Sequence, residues 1–479
     1  MSCCEIFRYE EYPRIKVGLI HLDRKRPWPA CINPATGNQW SQDMKTKMLD
    51  ILDKTGFTIF RSDEHICVDD DRSLREAVGL CRKAEVNVIV AIQPTISDGR
   101  LAPVLAQEWG PALVFMASPE EQTGEMISGN SLVGTHLMAA TLRQLGRICQ
   151  VVYSNLDWEK ASEKLISAVH VAFATRYISK TKIGLIGHQA PGFLDFYPNP
   201  FEMSKQLGSI LQHVGMTEYI STALHLISDE EVSADIDYII NNLKLPFKSL
   251  ATGFGVEQSE LSQSSRHYLA LRRFIQENNF DSLAIRCWPE LPGPQGLEQW
   301  CYMALARLAT EGFPVACEGD VDGALSCLVG KLLGSGAVYL SDWLEHEDNR
   351  LTLWHGGMAP LQLSEPIGSV LGPCISRHFN NRVPGCLDAT IRIGIPLTIY
   401  RLWVFNNKYH ILVLEGVSIK PSRALLGNNG LVEIDGVNLE TGFDRWIQIG
   451  FPHHVCVVQG KHKQRILDFA RNLNITIVE

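Results

Sequence analysis

The stretch PVACEGDVDGAL, residues 314–325, begins as a buried β-strand and then places an acid, a glycine and two further acids where the apolar run stops. Asn, Asp, Gly and Pro turn the chain at most strand ends, and Glu is a poor turn former, so turn chemistry alone does not account for Glu318. Asp320 is the better cap for a helix that starts at Val321, because Asp is a preferred N-cap type. The stretch therefore predicts a strand, a turn with Glu318 available for chemistry, and a helix.

Before residue 346, short runs rich in Val and Ile alternate with amphipathic stretches of helical length. This alternation is typical of βα units around a parallel sheet. The first set of predicted strands covers 17–20, 86–92, 112–116 and 150–153, with helices near 40–55, 72–84, 131–145 and 157–175. The second set has strands at 182–187, 282–286, 314–317 and 337–340, with helices near 200–213, 228–243, 258–278, 296–310 and 321–333.

After residue 346 the segments become longer and alternate polar with apolar residues, as in 389–405 and 408–419, with NN and GNNG turns. This pattern is typical of antiparallel β structure. The sequence therefore predicts an α/β protein with two doubly wound domains and a smaller, mostly antiparallel C-terminal domain. The predicted boundaries are 1–178, 179–345 and 346–479.

The composition is that of an ordinary globular protein, with 45% hydrophobic and 20% charged residues. The net charge of -9 argues against a nucleic-acid partner, because phosphate binding needs a basic face and the chain has only one short basic cluster, 24–26. Thirteen cysteines without a CxxC pair fit a reducing compartment. The N-terminal segment lacks a signal-peptide pattern, and no window approaches the ~20 apolar residues of a membrane span. We therefore expect a cytoplasmic protein that binds neither nucleic acid nor a membrane.

Glu318 and Asp342 follow two predicted strands that are joined by one helix. Such a βαβ unit often places its two strands side by side, about 4.8 Å apart. Ligands bind outside the carboxyl ends of the strands in open α/β sheets. The two carboxylates are thus placed to hold one cation or to share one proton. The alternative is that each acid caps the following helix, and for a lone Asp such as Asp342 the cap is the more frequent role.

Histidines near the C-terminus offer a third group for such a site. FPHHVCVV, residues 451–458, puts His453 and His454 before an apolar strand, so their imidazoles face opposite sides of it. One ring can point into a cleft while its neighbour packs. His355 in LWHGGM is another candidate, because the glycines beside it allow close backbone approach. Most single histidines are ordinary surface or core residues, but the combination with two strand-end acids favours a functional site.

Several of these stretches together resemble the L-fucose and L-arabinose isomerases, which are metal-dependent aldose–ketose isomerases. The residues that carry the resemblance are LAIRCWPE (283–290), GFPVACEGDVDGAL (312–325), YLSDW (339–343), LWHGG (353–357) and PHHVCV (452–457). The resemblance covers essentially the whole chain in domain order. It implies two Rossmann-like domains followed by a barrel-like C-terminal domain. It also implies a trimer or hexamer in which the N-terminal domain of one subunit closes over the site of the next.

The resemblance assigns roles to four candidate residues. Glu318 and Asp342 correspond to carboxylates that bind the metal and act as catalytic acid and base, and His454 corresponds to the histidine that completes the metal site. His355 corresponds to a histidine that binds the metal or the sugar in some members. Carboxylate and imidazole donors suit Mn²⁺ or Mg²⁺ better than Zn²⁺. We expect Mn²⁺, which the family commonly uses, with Mg²⁺ as the alternative.

The family members differ in their sugar, and the sequence leaves the substrate open. The basic loop after the first strand contains Arg24, Arg26 and Trp28. A solvated charged loop is the ordinary interpretation of such a cluster. If the loop instead contacts the substrate of a neighbouring subunit, its guanidinium groups suit an anion. The first expectation is a neutral sugar of the L-fucose, D-arabinose or L-arabinose type, and the alternative is conversion of sulfoquinovose, which carries a sulfonate, to sulfofructose.

Two further features complete the set of candidates. GHQAPGF, residues 187–193, follows the first strand of the second predicted domain, and it lacks the glycine spacing of a phosphate-binding loop. The resemblance implies that this loop lines the cleft, which makes His188 and Gln189 candidate sugar contacts. A protein of a different class, a non-catalytic sugar-binding protein, would need neither strand-end acid, and the combination of acids and histidine argues against it.

Overall fold

The computed structural model of the protein describes residues 14–23, 34–64, 66–120, 122, 125, 127, 129–293 and 297–479. The chain divides into two compact units, one within residues 14–177 and one over Ile178–Glu479. The second and third predicted domains both fall within the second unit. Among the described residues, no helix combines the length and the apolar character needed to cross a bilayer.

The first unit is a parallel sheet with helices. Its strands are β1 (Lys16–Leu22), β2 (Thr58–Arg61), β3 (Cys67–Val68), β4 (Val88–Ile92), β5 (Leu113–Ala117) and β6 (Gln150–Tyr153). Its helices are α1 (Pro34–Asp53), α2 (Asp71–Lys83), α3 (Leu101–Glu108), α4 (Ser131–Gln144) and α5 (Trp158–Tyr177). The strand order is β2-β1-β4-β5-β6, with β3 also paired to β1. Strands β4 and β5 are buried at every position, which explains their uninterrupted apolar sequences.

The second unit begins with a four-stranded parallel sheet of order β10-β9-β7-β8. Its strands are β7 (Lys182–Ile186), β8 (Ile210–Val214), β9 (Ser282–Ile285) and β10 (Val315–Ala316). Its helices are α6 (Pro200–Glu202), which continues as a π-helix over Met203–Leu207, α7 (Met216–Thr222), α8 (Asp229–Tyr238), α9 (Ser262–Asn278), α10 (Tyr302–Thr310) and α11 (Val321–Leu332). The helix predicted over 200–213 is wrong in its second half. The chain leaves the helix at Gly208, which has a φ of 80°, and then forms β8.

The rest of the second unit is a closed β-barrel. Its strands and flanking strands are β11 (Tyr339–Glu347), β12 (Arg350–His355), β13 (Cys374–Arg377), β14 (Pro384–Thr390), β15 (Pro396–Phe405), β16 (Lys408–Ile419), β17 (Asn428–Ile434), β18 (His454–Gln459) and β19 (Thr476–Val478). Helices α12 (Leu439–Ile447) and α13 (Lys463–Asn472) accompany them. The order β17-β12-β11-β18-β15-β16 closes through pairing of β16 with β17, and every pairing in this ring is antiparallel. The predicted fold class, parallel α/β structure followed by an antiparallel barrel-like domain, is confirmed.

The predicted βαβ unit around helix α11 is wrong. Strand β10 pairs in parallel with β9, whereas the strand after α11 is β11, which pairs antiparallel with β12 and β18 in the barrel. The apolar run at 337–340 resembles a buried parallel strand because the first residues of β11 are buried. The strand continues to Glu347 as a largely exposed hairpin arm, so Asp342 lies within a barrel strand and not at the end of a sheet strand.

Candidate active site

Three of the predicted site residues lie together: Glu318 and Asp342 both approach the imidazole of His454. His454 is fully buried, and its Nε2 lies 3.2 Å from Glu318 Oε2 and 3.2 Å from Asp342 Oδ1. Glu318 follows β10 of the parallel sheet, whereas Asp342 and His454 lie on strands β11 and β18 of the barrel. The site is therefore assembled from two different sheets of the second unit.

The contact between Asp342 and His454 follows from strand pairing. In the antiparallel pair of β11 and β18, Asp342 is the direct partner of His454. Residues directly opposite each other in such a pair have side chains on the same face and Cβ atoms roughly 5 Å apart. The barrel register thus brings the carboxylate and the imidazole together, even though the two residues lie far apart in the chain.

Glu318 is held in a tight turn by the GHQAPGF loop. Glu318 has a φ of 59° and Gly319 a φ of 73°, so both adopt the left-handed conformation, which is uncommon for a residue other than glycine. The Ala190 N–H donates to the Glu318 carbonyl at 2.8 Å, and Gln189 Nε2 donates to the Gly319 carbonyl at 3.0 Å. A Cβ atom on Gly319 would collide with the carbonyl oxygen of His188. His188 and Gln189 therefore lie behind the turn, where they support Glu318.

The charge balance at His454 favours a bound cation. Burial would lower the pKa of His454, but the neighbouring Asp320, Asp342 and Glu318 raise it well above the ordinary value. Burial would raise the pKa of Asp342, but His454 and His355 hold it below its usual value. Because Arg401 pairs with Asp320, the carboxylates of Glu318 and Asp342 are the ones that leave excess negative charge beside the buried imidazole, in a place poorly screened by water.

The donor atoms themselves fit a divalent metal ion. Nε2 of His454 is buried and makes no well-aligned hydrogen bond to either carboxylate, although both oxygens lie close to it. Adjacent ligands of an octahedral ion with bonds of about 2.1 Å lie roughly 3.0 Å apart. The 3.2 Å separations from His454 to Glu318 and to Asp342 match that spacing. Two carboxylate oxygens and one imidazole nitrogen are a donor set suited to Mn²⁺ or Mg²⁺.

His355 lies beside this group at the end of β12. Its donor atom lies within 4.8 Å of donor atoms of Glu318 and His454. The Gly356 N–H donates to Nδ1 of His355 at 2.8 Å, so the neutral ring carries its proton on Nε2. Burial lowers the pKa of His355 and favours this neutral form, although Asp342 and Glu318 oppose the shift. In this tautomer His355 is a hydrogen-bond donor, which suits contact with a sugar oxygen.

The segment after the GHQAPGF loop packs against the histidine pair. The Phe196 ring stacks on the His454 ring, with centroids 5.0 Å apart and planes 7° from parallel. Asp195 Oδ2 accepts from the backbone N–H of His453 at 3.1 Å and lies 2.6 Å from Nδ1 of the same residue. The two imidazole rings nevertheless lie together, with centroids 4.5 Å apart, and a donor atom of His453 lies within 4.8 Å of donor atoms of Asp342 and His454. The predicted placement of the two rings on opposite sides of one strand is therefore wrong, because β18 begins at His454 and His453 precedes it. Sequence reasoning missed both Phe196 and Asp195, which lie in a loop without regular periodicity.

An aromatic cleft leads to the site. It has a volume of about 530 Å³, which is within the usual range of small-molecule pockets. The Trp288 indole N–H lines it and donates to Glu318 Oε1 at 3.1 Å. Among the described residues that line this cleft, none is a lysine or an arginine. The lining residues that concern the site are Glu318, Asp342, His355, His453, and the aromatic side chains of Phe193, Trp288, Trp300, Tyr302, Trp354, His378 and Phe379.

The other predicted site residues do not line the cleft as the structure describes it. His188 and Gln189 are not among the described lining residues of the cleft. Arg24, Arg26 and Trp28 lie outside the residues that the structure describes. The residues that sequence reasoning missed at the cleft are mainly aromatic, and Trp288, which lies within the strand-end stretch 283–290, was the available signal.

The fold and this group of donors define a class: an α/β protein with an attached barrel and, at their junction, carboxylate and histidine donors that could hold a metal ion. Comparison with known proteins supports the same class. Residues 199–336 match the family model described as L-arabinose isomerase central domain.

Several relatives align over most of the chain. Sulfoquinovose isomerase of Priestia megaterium is 22% identical over 394 residues, which is 82% of this chain and 85% of the relative. Sulfoquinovose isomerase of Alkalicoccus urumqiensis is 24% identical over 399 residues, which is 82% of this chain and 86% of the relative. L-arabinose isomerase of Acidothermus cellulolyticus is 23% identical over 290 residues, which is 58% of this chain and 55% of the relative. These matches support an arabinose/fucose isomerase-like family, the family that the sequence motifs resemble.

Proposed function

We propose that this protein is a divalent-metal-dependent aldose–ketose isomerase that converts sulfoquinovose to sulfofructose. The class, an aldose–ketose isomerase of the arabinose isomerase family, rests on the relatives and the family match. The observation that carries the metal-dependent mechanism is the approach of Glu318 and Asp342 to Nε2 of His454, at 3.2 Å each. The choice of a sulfonated sugar is supported by relatives named sulfoquinovose isomerase that align over 82% of the chain.

The chemistry requires two proton movements. A proton moves from C2 to C1 of the sugar, and another moves from a hydroxyl oxygen to the neighbouring carbonyl oxygen. Glu318, Asp342 and His454 would hold a divalent cation, which would supply Lewis acidity for the negative charge that develops on the sugar during this step. Glu318 and Asp342 divide the proton transfers, because both are carboxylates beside the same point of the cleft.

Other residues of the site orient the sugar and the carboxylates. The Trp288 N–H holds one oxygen of Glu318 and leaves the other turned towards His454. His355 donates its Nε2 proton to a sugar oxygen in this proposal, since its Nδ1 already accepts from the backbone. The aromatic walls of the cleft pack against the apolar faces of the sugar and keep water away from the reacting carbons.

A sulfonate is an anion, and cationic side chains bind it well. No lysine or arginine is among the described lining residues. We propose that Arg24 and Arg26, with Trp28 beside them, bind the sulfonate, because two guanidinium groups match its oxygens. In this proposal the protein is a homo-oligomer, a trimer or hexamer, in which the basic loop of one subunit reaches the cleft of its neighbour.

A neutral sugar is the second candidate, and it was the first expectation from the sequence. The absence of lysine and arginine from the described walls of the cleft favours it. The relatives support this candidate more weakly, because the L-arabinose isomerase of Acidothermus cellulolyticus aligns with only 58% of this chain. The sulfonated substrate therefore agrees better with the comparisons.

Turnover of a small panel tests both candidates. Purified protein is treated with EDTA, dialysed, and assayed with Mn²⁺ or Mg²⁺ on sulfoquinovose, L-fucose, D-arabinose and L-arabinose, with ketose formation followed by NMR. We expect activity on sulfoquinovose that EDTA abolishes and that Mn²⁺ restores better than Mg²⁺. Activity on a neutral sugar alone would replace the sulfonated substrate with the second candidate. Turnover that survives EDTA would contradict the metal-dependent mechanism.

A further inference from the structure

A fully buried ion pair lies directly behind the histidine of the proposed metal site. Asp320 and Arg401 are both 0% exposed, and they form a two-pronged contact. Arg401 Nη1 lies 2.7 Å from Asp320 Oδ2, and Nη2 lies 2.8 Å from Oδ1. We infer that Asp320 and Arg401 are positioning residues that orient His454 for metal binding and hold the barrel in place against the parallel sheet. This inference rests on the proposed metal site.

The Asp320 carboxylate makes contacts in three directions. Its Oδ1 accepts from the Gly323 N–H at 2.8 Å and so caps helix α11. Its Oδ2 lies 2.9 Å from Nδ1 of His454. Both oxygens also accept from Arg401. Each oxygen is therefore committed as an acceptor, and the sequence-based prediction that Asp320 caps α11 describes one part of its role.

These contacts determine the tautomer of His454. An ionised carboxylate only accepts hydrogen bonds, so Nδ1 of His454 must carry the proton that Asp320 accepts. Once a cation displaces any proton on Nε2, the Nε2 lone pair faces Glu318 and Asp342, which is the state required of a metal ligand. Metal-binding histidines commonly donate their other N–H to a carboxylate in this way.

Arg401 connects this arrangement to the barrel. It lies on β15, which pairs with β18, the strand of His454. Asp320 lies in the turn that also carries Glu318, at the edge of the parallel sheet. The ion pair therefore joins the sheet that supplies one proposed ligand to the barrel that supplies the other two.

The sequence of the turn agrees with this function. Gly323 lies against the ion pair, and a Cβ atom there would collide with the Asp320 carboxylate and approach Arg401 Nη1 to 2.9 Å. Asp322, the next acid of the same stretch, is also buried, and its Oδ1 accepts from the Tyr409 hydroxyl at 2.9 Å. Helix α11 thus presents two acids to the barrel strands β15 and β16, and a glycine makes room for the arginine.

The chain offers a matched control. Arg307 and Asp235 form a second buried two-pronged pair, with both contacts at 2.7 Å. These residues lie on helices α10 and α8, and neither is among the residues that contact His454 in the described structure. Replacing this pair removes the same chemical groups from the same unit without touching the proposed ligands.

The test compares two double variants of the full chain, Asp320→Asn/Arg401→Met and Asp235→Asn/Arg307→Met. Removing both charges together avoids leaving an unpaired buried ion, and Asn at position 320 still caps the helix. The Mn²⁺ dissociation constant of the EDTA-treated protein is measured by calorimetry, and the melting temperature of the metal-free protein is measured in parallel. At saturating Mn²⁺, the EPR spectrum reports the environment of the bound ion.

We expect the Asp320→Asn/Arg401→Met variant to bind Mn²⁺ roughly 10- to 100-fold more weakly and to show an altered EPR spectrum. The Asp235→Asn/Arg307→Met variant should melt at a lower temperature but keep its Mn²⁺ affinity within about threefold, since neither residue is among those that contact His454 in the described structure. Equal affinities in the two variants would overturn the inference, because the buried pair would then serve stability alone.

If the first double variant does not fold, a single substitution tests the inference instead. Arg401→Lys keeps the positive charge but loses the two-pronged contact of the guanidinium group, and Arg307→Lys is its control. A several-fold loss of Mn²⁺ affinity in Arg401→Lys, absent from Arg307→Lys, supports the inference, and equal affinities overturn it. If Arg401→Lys also fails to fold while Arg307→Lys folds, the pair is a folding element and the inference is rejected. Wild-type protein that binds no Mn²⁺ would remove the metal site itself, whereas the turnover panel tests the substrate separately.

Discussion

The parallel sheet and the barrel of the second unit contribute to the site in different ways. The sheet supplies Glu318 from a turn at the carboxyl end of β10, which is where ligands bind in open α/β sheets. The barrel supplies Asp342 and His454 from two paired strands, in direct register. The sheet contribution thus depends on a strained turn and its supporting loop, whereas the barrel contribution depends on strand pairing. Substitutions on the two sides should therefore fail for different physical reasons.

The largest effect is expected from the two carboxylates, one from each side. Glu318→Gln and Asp342→Asn should each lower kcat by about 10²- to 10⁴-fold, because a positioned acid or base contributes that much. Steady-state turnover on the preferred sugar of the panel measures it. Glu345→Gln is the control, since Glu345 lies on the same strand as Asp342 with 57% of its side chain exposed. Normal turnover in Glu318→Gln would contradict the mechanism.

Proton competition distinguishes the imidazole from the carboxylates. The surrounding carboxylates raise the pKa of His454, so we expect the metal-free protein to hold a proton on Nε2 that a cation must displace. Below that pKa, loss of one proton on binding strengthens the apparent Mn²⁺ affinity by about tenfold for each pH unit gained. Calorimetry in buffers of different ionisation enthalpy counts the protons released. A Mn²⁺ affinity that does not change between pH 6 and pH 8 would contradict the displacement of a proton from His454 on metal binding.

The basic loop tests the proposed sulfonate contact. Arg24→Ala and Arg26→Ala should each raise KM for sulfoquinovose by roughly 10- to 100-fold while leaving kcat within a few fold, because a lost charge-assisted hydrogen bond weakens binding by about 1.5–3 kcal/mol. Arg100→Ala is a control, since Arg100 is an exposed arginine of the same unit that pairs with Asp98. Unchanged KM values in both loop variants would place the sulfonate elsewhere.

The smallest effect is expected from the turn on the sheet side. Gly319→Ala and Gly336→Ala both place alanine at a left-handed position, with φ of 73° and 80° respectively. The shared conformational cost is about 1 kcal/mol. Only at Gly319 does the new Cβ meet another group, the carbonyl oxygen of His188, while nothing lies within 4 Å at Gly336. Gly319→Ala should therefore lower both the melting temperature and kcat further than its control, and equal effects would show that the loop does not support Glu318.

Much of the fold was predictable from local patterns. Buried strands such as β4 and β5 are uninterrupted apolar runs, and the change to alternating segments after residue 346 marked the antiparallel barrel. Strand β8 escaped prediction because ILQHV directly follows a helical segment, and only Gly208 marks the boundary. Local periodicity determines the type of an element, but it does not determine which sheet the element joins.

The proposed ligands were predicted for a reason that is only half correct. The strand-end argument applies to Glu318, but Asp342 reaches the same point from within a barrel strand. The direct pairing of Asp342 with His454 depends on a long-range register that no single stretch encodes. The same holds for Asp320 with Arg401 and for Phe196 on His454, whose contacts join segments far apart in the chain.

A crystal structure of the EDTA-treated protein soaked with Mn²⁺, with anomalous diffraction data collected at the manganese edge, would show directly whether the sheet and the barrel hold one cation. We expect one strong anomalous peak in each subunit, within about 2.0–2.4 Å of Glu318, Asp342 and Nε2 of His454. A peak bound by only one side of the junction, the sheet or the barrel, or no peak at these residues at all, would contradict the claim that the two sheets together hold one cation.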